Sequence, residues 1–156
     1  LSHLLNHPDH RYSIGPVSIS SNYSRFSRGL IIEFVKQHHY DNDLARHVHP
    51  RNRFDIKQDQ GDSEALIAAS GEDLKKLDRL IADIEPKESS VPVLLKKYLL
   101  LNARIIGFNS DPRFNDALDG LMLLDLTKLP EKTVEDLKRG MNEAIASPAP
   151  GAGPVV

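Results

Sequence analysis

The sequence contains no cysteine and no tryptophan. Without a thiol, disulfides, thiolate catalysis and Cys-ligated zinc or iron–sulfur centres are excluded. No sign of charge dominates: 20 Lys and Arg stand against 22 Asp and Glu, a formal net charge of −2. Nucleic-acid binding through bulk charge needs a basic excess or patch, so no nucleic-acid partner is expected. No apolar run approaches the roughly 20 residues that cross a bilayer. A basic start leading into an apolar stretch is missing too, so no signal peptide is visible and a cytoplasmic location is expected. The first residue is Leu1 rather than Met, which leads to the expectation of a fragment.

What remains is the composition of an ordinary globular chain: 156 residues, 40% apolar and 27% charged, the length of one domain. All seven histidines fall at or before His49. Residues 147–156, rich in proline and small side chains, are expected to form a disordered tail after a folded part spanning 1–146. Residues 1–6 read as the end of a helix. Residues 11–20 (RYSIGPVSIS) alternate in part and predict a strand, with Gly15-Pro16 marking an edge, a bulge or a splayed position. Ser21, Asn22 and Ser24 offer caps for a helix carrying Phe26, Leu30, Ile31, Phe34 and Val35 to about His38. A short helix is expected at 43–47 and a long loop at 50–61. One or two helices lie between 63 and 84, with a start at Ser70-Gly71-Glu72-Asp73. A helix from Ser90 has Pro92 in its first turn and Asn102 as a C-cap. Residues 103–109 predict a strand. Residues 120–126 (GLMLLDL) predict a strand buried on both faces, and 130–146 a final helix. The fold class is therefore α+β, a mixed sheet of three strands covered by helices.

Two stretches, residues 15–28 (GPVSISSNYSRFSR) and 91–126 (VPVLLKKYLLLNARIIGFNSDPRFNDALDGLMLLDL), resemble the second half of the hemolysin-like N-acyltransferases that make ornithine lipids and related aminolipids. The resemblance covers roughly residues 1–130. It is closer to the bifunctional type, in which a fused O-acyltransferase domain precedes this one. It implies a fold like the Gcn5-related N-acetyltransferases with its first half missing. Residues 11–20 would be the second of two strands that splay around the phosphopantetheine arm of an acyl carrier protein thioester, and 103–109 with 120–126 the terminal antiparallel pair. The implied reaction is attack of an amino-acid amine, such as that of ornithine, on a 3-hydroxyacyl thioester. It needs a base, oxyanion donors and an acid, but no nucleophilic cysteine and no bound cofactor. The lipid product implies a location peripheral to the inner face of the membrane.

On this reading Ser20 and Tyr23 are catalytic candidates, Tyr23 as acid. Ser18 and Asn22 would hold the acyl hydroxyl or carbonyl. Ser27 and Arg28 match the family's helix start, with Arg28 facing a carboxylate or phosphate. Asp111, Phe114, Asn115 and Asp119 would bind the acceptor, an acid meeting its amine. Caps, Asx turns and surface ion pairs are competing explanations for each of these residues. Lys96 and Lys97 offer a docking face for the acidic carrier protein, or a solvated one. His38-His39 and His47-x-His49 lack the spacing of a metal motif, and helix capping and loop packing explain them better. The alternative reading is a non-catalytic, acyltransferase-like binding or regulatory module.

Overall fold

The computed structural model describes residues 10–54, 66–68, 71–85, 90–114 and 116–146. The expected helix end at 1–6, most of the loop at 50–61, the tail at 147–156 and Asn115 lie outside them. The chain is α+β: among the described residues, a three-stranded antiparallel sheet with helices packed against its core face.

Strand β1 is Tyr12–Ile19, β2 is Arg104–Asp111 and β3 is Ala117–Asp125. The order is β1-β3-β2, with both pairings antiparallel. The expected terminal pair is thus present as β2 and β3. β3 begins three residues before the apolar run, because Ala117 and Asp119 continue the ladder to Asp111 and Asn109. β3 is not buried on both faces. Its residues alternate, with Leu118, Gly120, Met122 and Leu124 in the core and their neighbours half-buried on the other side. The apolar run arises because Leu121 and Leu123 keep the second face apolar too.

The Gly15-Pro16 pair causes no break. β1 pairs with β3 in uniform register from Tyr12↔Asp125 to Ile19↔Leu118. The sheet's bulge lies instead in β2, between Ile105 and Gly107. Because β1 never slips, its two apolar pairs fall on opposite faces. Val17 and Ile19 enter the core, while Tyr12 and Ile14 are 51% and 61% exposed.

Helix α1, Arg25–His38, starts at Ser24, whose side chain accepts the Ser27 N–H. It is buried around much of its circumference, by Ser27, Gly29, Leu30, Ile31, Ile32, Phe34 and Val35. It is therefore a core helix rather than a surface one. Its apolar residues share one cluster with Val17 and Ile19 of β1, Ile105 of β2 and the buried residues of β3. Short α2, Asn42–Ala45, is capped by Asp41. Helix α3, Leu74–Ile84, is capped by Asp73, brings Leu77 and Ile81 into the core and touches α1. Helix α4, Val93–Leu100, buries Leu95 and Leu99 and lies against β1. It ends as the sequence suggests, with Asn102 left-handed at φ 62° just beyond its last turn. Helix α5 is Glu131–Ala146. Among the described residues no helix is long and apolar enough to cross a membrane.

Candidate functional site: the open face of the sheet

The strand register sorts the second face into rows. Ile14 stands beside Leu123. Pro16, Leu121 and Gly107 form the next row, and Ser18, Asp119 and Asn109 the one after. An apolar strip thus runs into a polar one within about 7 Å, the two-residue repeat of a strand. The polar row is linked: the Ser18 hydroxyl donates to Asp119 Oδ1 at 2.5 Å.

A cleft of about 660 Å³ opens on this face, floored by Pro16, Leu121, Gly107, Asn109 and Asp119. One wall is the segment 48–52, held down at two points. Val48 fills the space a side chain would need at Gly107, with its Cγ1 only 2.9 Å from where a Cβ would stand. Further along, the Asn52 N–H donates to Asn109 Oδ1 (2.9 Å) and the Ser110 N–H to the Asn52 carbonyl (2.8 Å). Pro112 and Arg113 close the end, where Asp111 accepts the Arg113 N–H at 2.9 Å in an Asx turn. Arg51 and Arg113 both line the cleft, and neither guanidinium forms an ion pair with a described residue. Its size falls within the usual range for small-molecule sites, about 300–1,000 Å³.

The two edges of the sheet differ. The outer edge of β2 is covered: the Ile105 N–H donates to the His39 carbonyl (2.8 Å) and the Asp41 N–H to the Ile105 carbonyl (3.0 Å). The outer edge of β1 is bare among the described strands. The Leu126 N–H donates to the Arg11 carbonyl, so odd-numbered residues of β1 address β3. Tyr12, Ile14, Pro16 and Ser18 turn their backbone groups outward. Pro16 lacks a donor only on this free side, which is why it is tolerated in mid-strand.

The sequence candidates divide accordingly. Ser18, Asp111 and Asp119 lie on the open face, and Asp111 and Asp119 line the cleft. Ser20 follows the end of β1, and its hydroxyl accepts the Asn22 N–H at 3.1 Å, with Asn22 exposed. Phe114 ends the short 3-10 turn Pro112–Phe114. Tyr23 and Ser27 lie away from the cleft: both are buried. The Tyr23 hydroxyl donates to the Ser90 carbonyl at 2.8 Å, tying the start of α1 to the approach of α4. Ser27 sits in the first turn of α1, a turn that the chain caps with its own anion. The buried carboxylate of Glu85 accepts the Ser24 N–H at 2.8 Å. Burial pushes the Glu85 carboxyl up, but hydrogen bonding from Ser24 at the helix start outweighs this and holds it below the usual carboxylate range. Arg28 makes no ion pair with a described residue. Its Nη1 donates to the Asp116 carbonyl (2.9 Å) and its guanidinium lies 5.5 Å from the Phe54 ring centre. Burial, with Arg25 nearby, lowers its pKa.

Other groups are committed to the scaffold. Lys96 is bound to Asp78 at 2.5 Å rather than presented outward. His38 and His39 pack on Phe34, and His39 forms the C-cap of α1. Burial lowers the His39 pKa. No three metal-ligating side chains converge among the described residues.

Sequence reasoning did not single out Arg51, Asn109 or Arg113. Asn109 and Arg113 lie inside the stretch that carries the resemblance, but only the strand register shows that Asn109 shares a row with Asp119. Arg51 sits in a polar loop with no local mark of function. Comparison with protein-family models, with curated proteins and with solved structures finds no match.

Proposed function

We propose that this chain is the acceptor-side part of an N-acyltransferase-like domain, one that moves a 3-hydroxyacyl group from an acyl carrier protein thioester to the amine of an amino acid. The observation that carries the reading is the amphipathic open face beside the edge of β1 that no described strand covers. Ile14, Leu123, Pro16 and Leu121 offer an apolar strip suited to an acyl chain, and Ser18 and Asp119 stand where the strip turns polar. A parallel strand splaying from β1 would leave a wedge at Pro16, where β1 has no N–H to give, and an extended thioester arm fits such a wedge. The order β1-β3-β2, with β2 and β3 antiparallel, suits the same fold. Ser18 would meet the acyl 3-hydroxyl, and Asp119 would take the proton side of the amine.

The test uses the full gene product that carries this chain, a 3-hydroxyacyl carrier protein and ornithine, glycine, lysine and glutamine in turn. Formation of an N-acyl amino acid is expected, and absence of product with every amine would overturn the reading. A second reading, a non-catalytic binding module, draws on Tyr23 and Ser20. Their hydroxyls are occupied by the Ser90 carbonyl and the Asn22 N–H. Binding of the acylated carrier protein without transfer would favour it.

A further inference from the structure

Resting on that reading, we infer that the cleft is the acceptor site and recognises an α-amino acid by both of its charges: the ammonium at Asp119, the carboxylate at the Arg51–Arg113 end.

A free amino acid carries a cation and an anion one carbon apart, so its site needs a carboxylate and a cationic donor within one small cavity. The cleft holds both signs. Asp119 has one oxygen engaged by Ser18, and its second oxygen has no hydrogen bond to a described residue. That leaves an acceptor for an ammonium N–H. The guanidinium groups of Arg51 and Arg113 come from two different walls and form no ion pair with a described residue, although Asp111 lines the same cleft. Asp111 instead accepts a backbone N–H. Guanidinium suits the planar, two-oxygen geometry of a carboxylate.

The placement also gives the reaction a direction. Asp119 lies on β3, one strand inward from the edge of β1 that no described strand covers. A neighbouring strand is about 4.8 Å away, so an amine held by Asp119 lies close to an acyl carbon at Ser18 and Pro16. The amino-acid side chain is then left facing the apolar row and the segment 48–52. That segment is held against β2 at Gly107 and Asn109, so the Arg51 wall is built into the fold.

The experiment is a titration of the isotopically labelled protein with glycine, methylamine and N-acetylglycine, followed by backbone amide shifts. Glycine carries both charges; methylamine lacks the carboxylate and N-acetylglycine lacks the ammonium. Glycine is expected to shift amides of β3 and 48–52, and each control to bind at least about tenfold more weakly, as loss of one charge-assisted contact implies. Arg113→Gln and Asp119→Asn should each weaken glycine by a similar factor while leaving the remaining amide spectrum in place. Equal binding of all three probes, shifts confined to another face, or unchanged affinity in both variants would overturn the inference. The same variants in the transfer assay separate the two claims. Transfer with an unchanged KM for the amine would remove this site but keep the acyltransferase reading. Charge-dependent glycine binding in a protein that transfers to no amine would remove that reading but keep the site.

Discussion

The two faces of the sheet are made by the same strands and differ in nearly every physical respect. On the core face, Val17, Ile19, Ile105, Leu118, Met122 and Leu124 join α1 in a single apolar cluster. On the open face, the alternate residues form an apolar strip, a polar row and a cleft with charges of both signs. A strand with period 2 can serve two purposes at once, because a substitution on one face leaves the other face's side chains in place. The contrast teaches where to look for function. Where apolar residues are closed in by helices they account for stability. Where they stay half-exposed beside arginines that form no ion pair with a described residue, packing does not explain them.

Substitutions can break this division, beginning with the core. Phe34 is fully buried, with the rings of His38 and His39 tilted against it at centroid distances of 5.0 and 5.8 Å. Phe34→Ala should cost about 3–5 kcal/mol in chemical unfolding, and a loss below 1 kcal/mol would show that the core lies elsewhere. Next comes the cap. Glu85→Ala leaves the Ser24 N–H without its carboxylate and should cost about 1–2 kcal/mol. The Glu85 carboxyl is depressed in the folded chain, so its contribution is present above the unfolded value of about 4.3 and fades as pH falls through the lower folded one. Asp125, held well below the usual range mainly by its hydrogen bond from Arg11, acts in the same sense. Stability should therefore drop on acidification below about pH 4, and Glu85→Gln should flatten part of that drop. An unchanged slope would contradict the assignment.

Gly107→Ala probes the boundary between the faces. The added methyl would meet Val48, so a loss of about 1–2 kcal/mol is expected, together with displaced amide signals confined to 48–52. Shifts spread through α1 would show that the cleft wall and the core are one unit. The smallest effect belongs to the open face: Ser18→Ala removes an exposed hydrogen bond and should change stability by less than about 0.5 kcal/mol. A larger loss would make Ser18 a structural residue.

Much of the scaffold was legible locally. Ser24 and Asn102 mark helix ends that the structure keeps, because caps and left-handed turns depend on neighbouring residues alone, while the start expected at Ser70-Gly71-Glu72-Asp73 falls later, with Asp73 as the cap and no acid in the first turn. The strands were recognised within two or three residues of their ends. Gly15-Pro16 suggests an edge, a bulge or a splayed strand, and only the fold selects the edge: a proline on the side of β1 that no described strand covers removes no ladder bond. The double-sided apolar pattern of β3 was likewise visible, while its cause was not: the strand is central, and its second face is half-open. Of the candidate site, Asp111, Asp119 and Ser18 were found, and register brought them onto one surface. Arg51 was not, because a wall residue 56 positions from Gly107 in sequence is brought close only by the folded chain. Tyr23 and Ser27 look functional beside a strand end, yet Tyr23 is tied to the Ser90 carbonyl and Ser27 is buried in the first turn of α1, its hydroxyl without a hydrogen-bond partner among the described residues.

The central claim, that the open face carries the chemistry and the core face only the fold, is tested most directly by measuring acyl transfer and the unfolding midpoint together for Asp119→Asn. The account predicts that transfer falls at least about tenfold while the midpoint stays at its wild-type value. Wild-type transfer at an unchanged midpoint would contradict it.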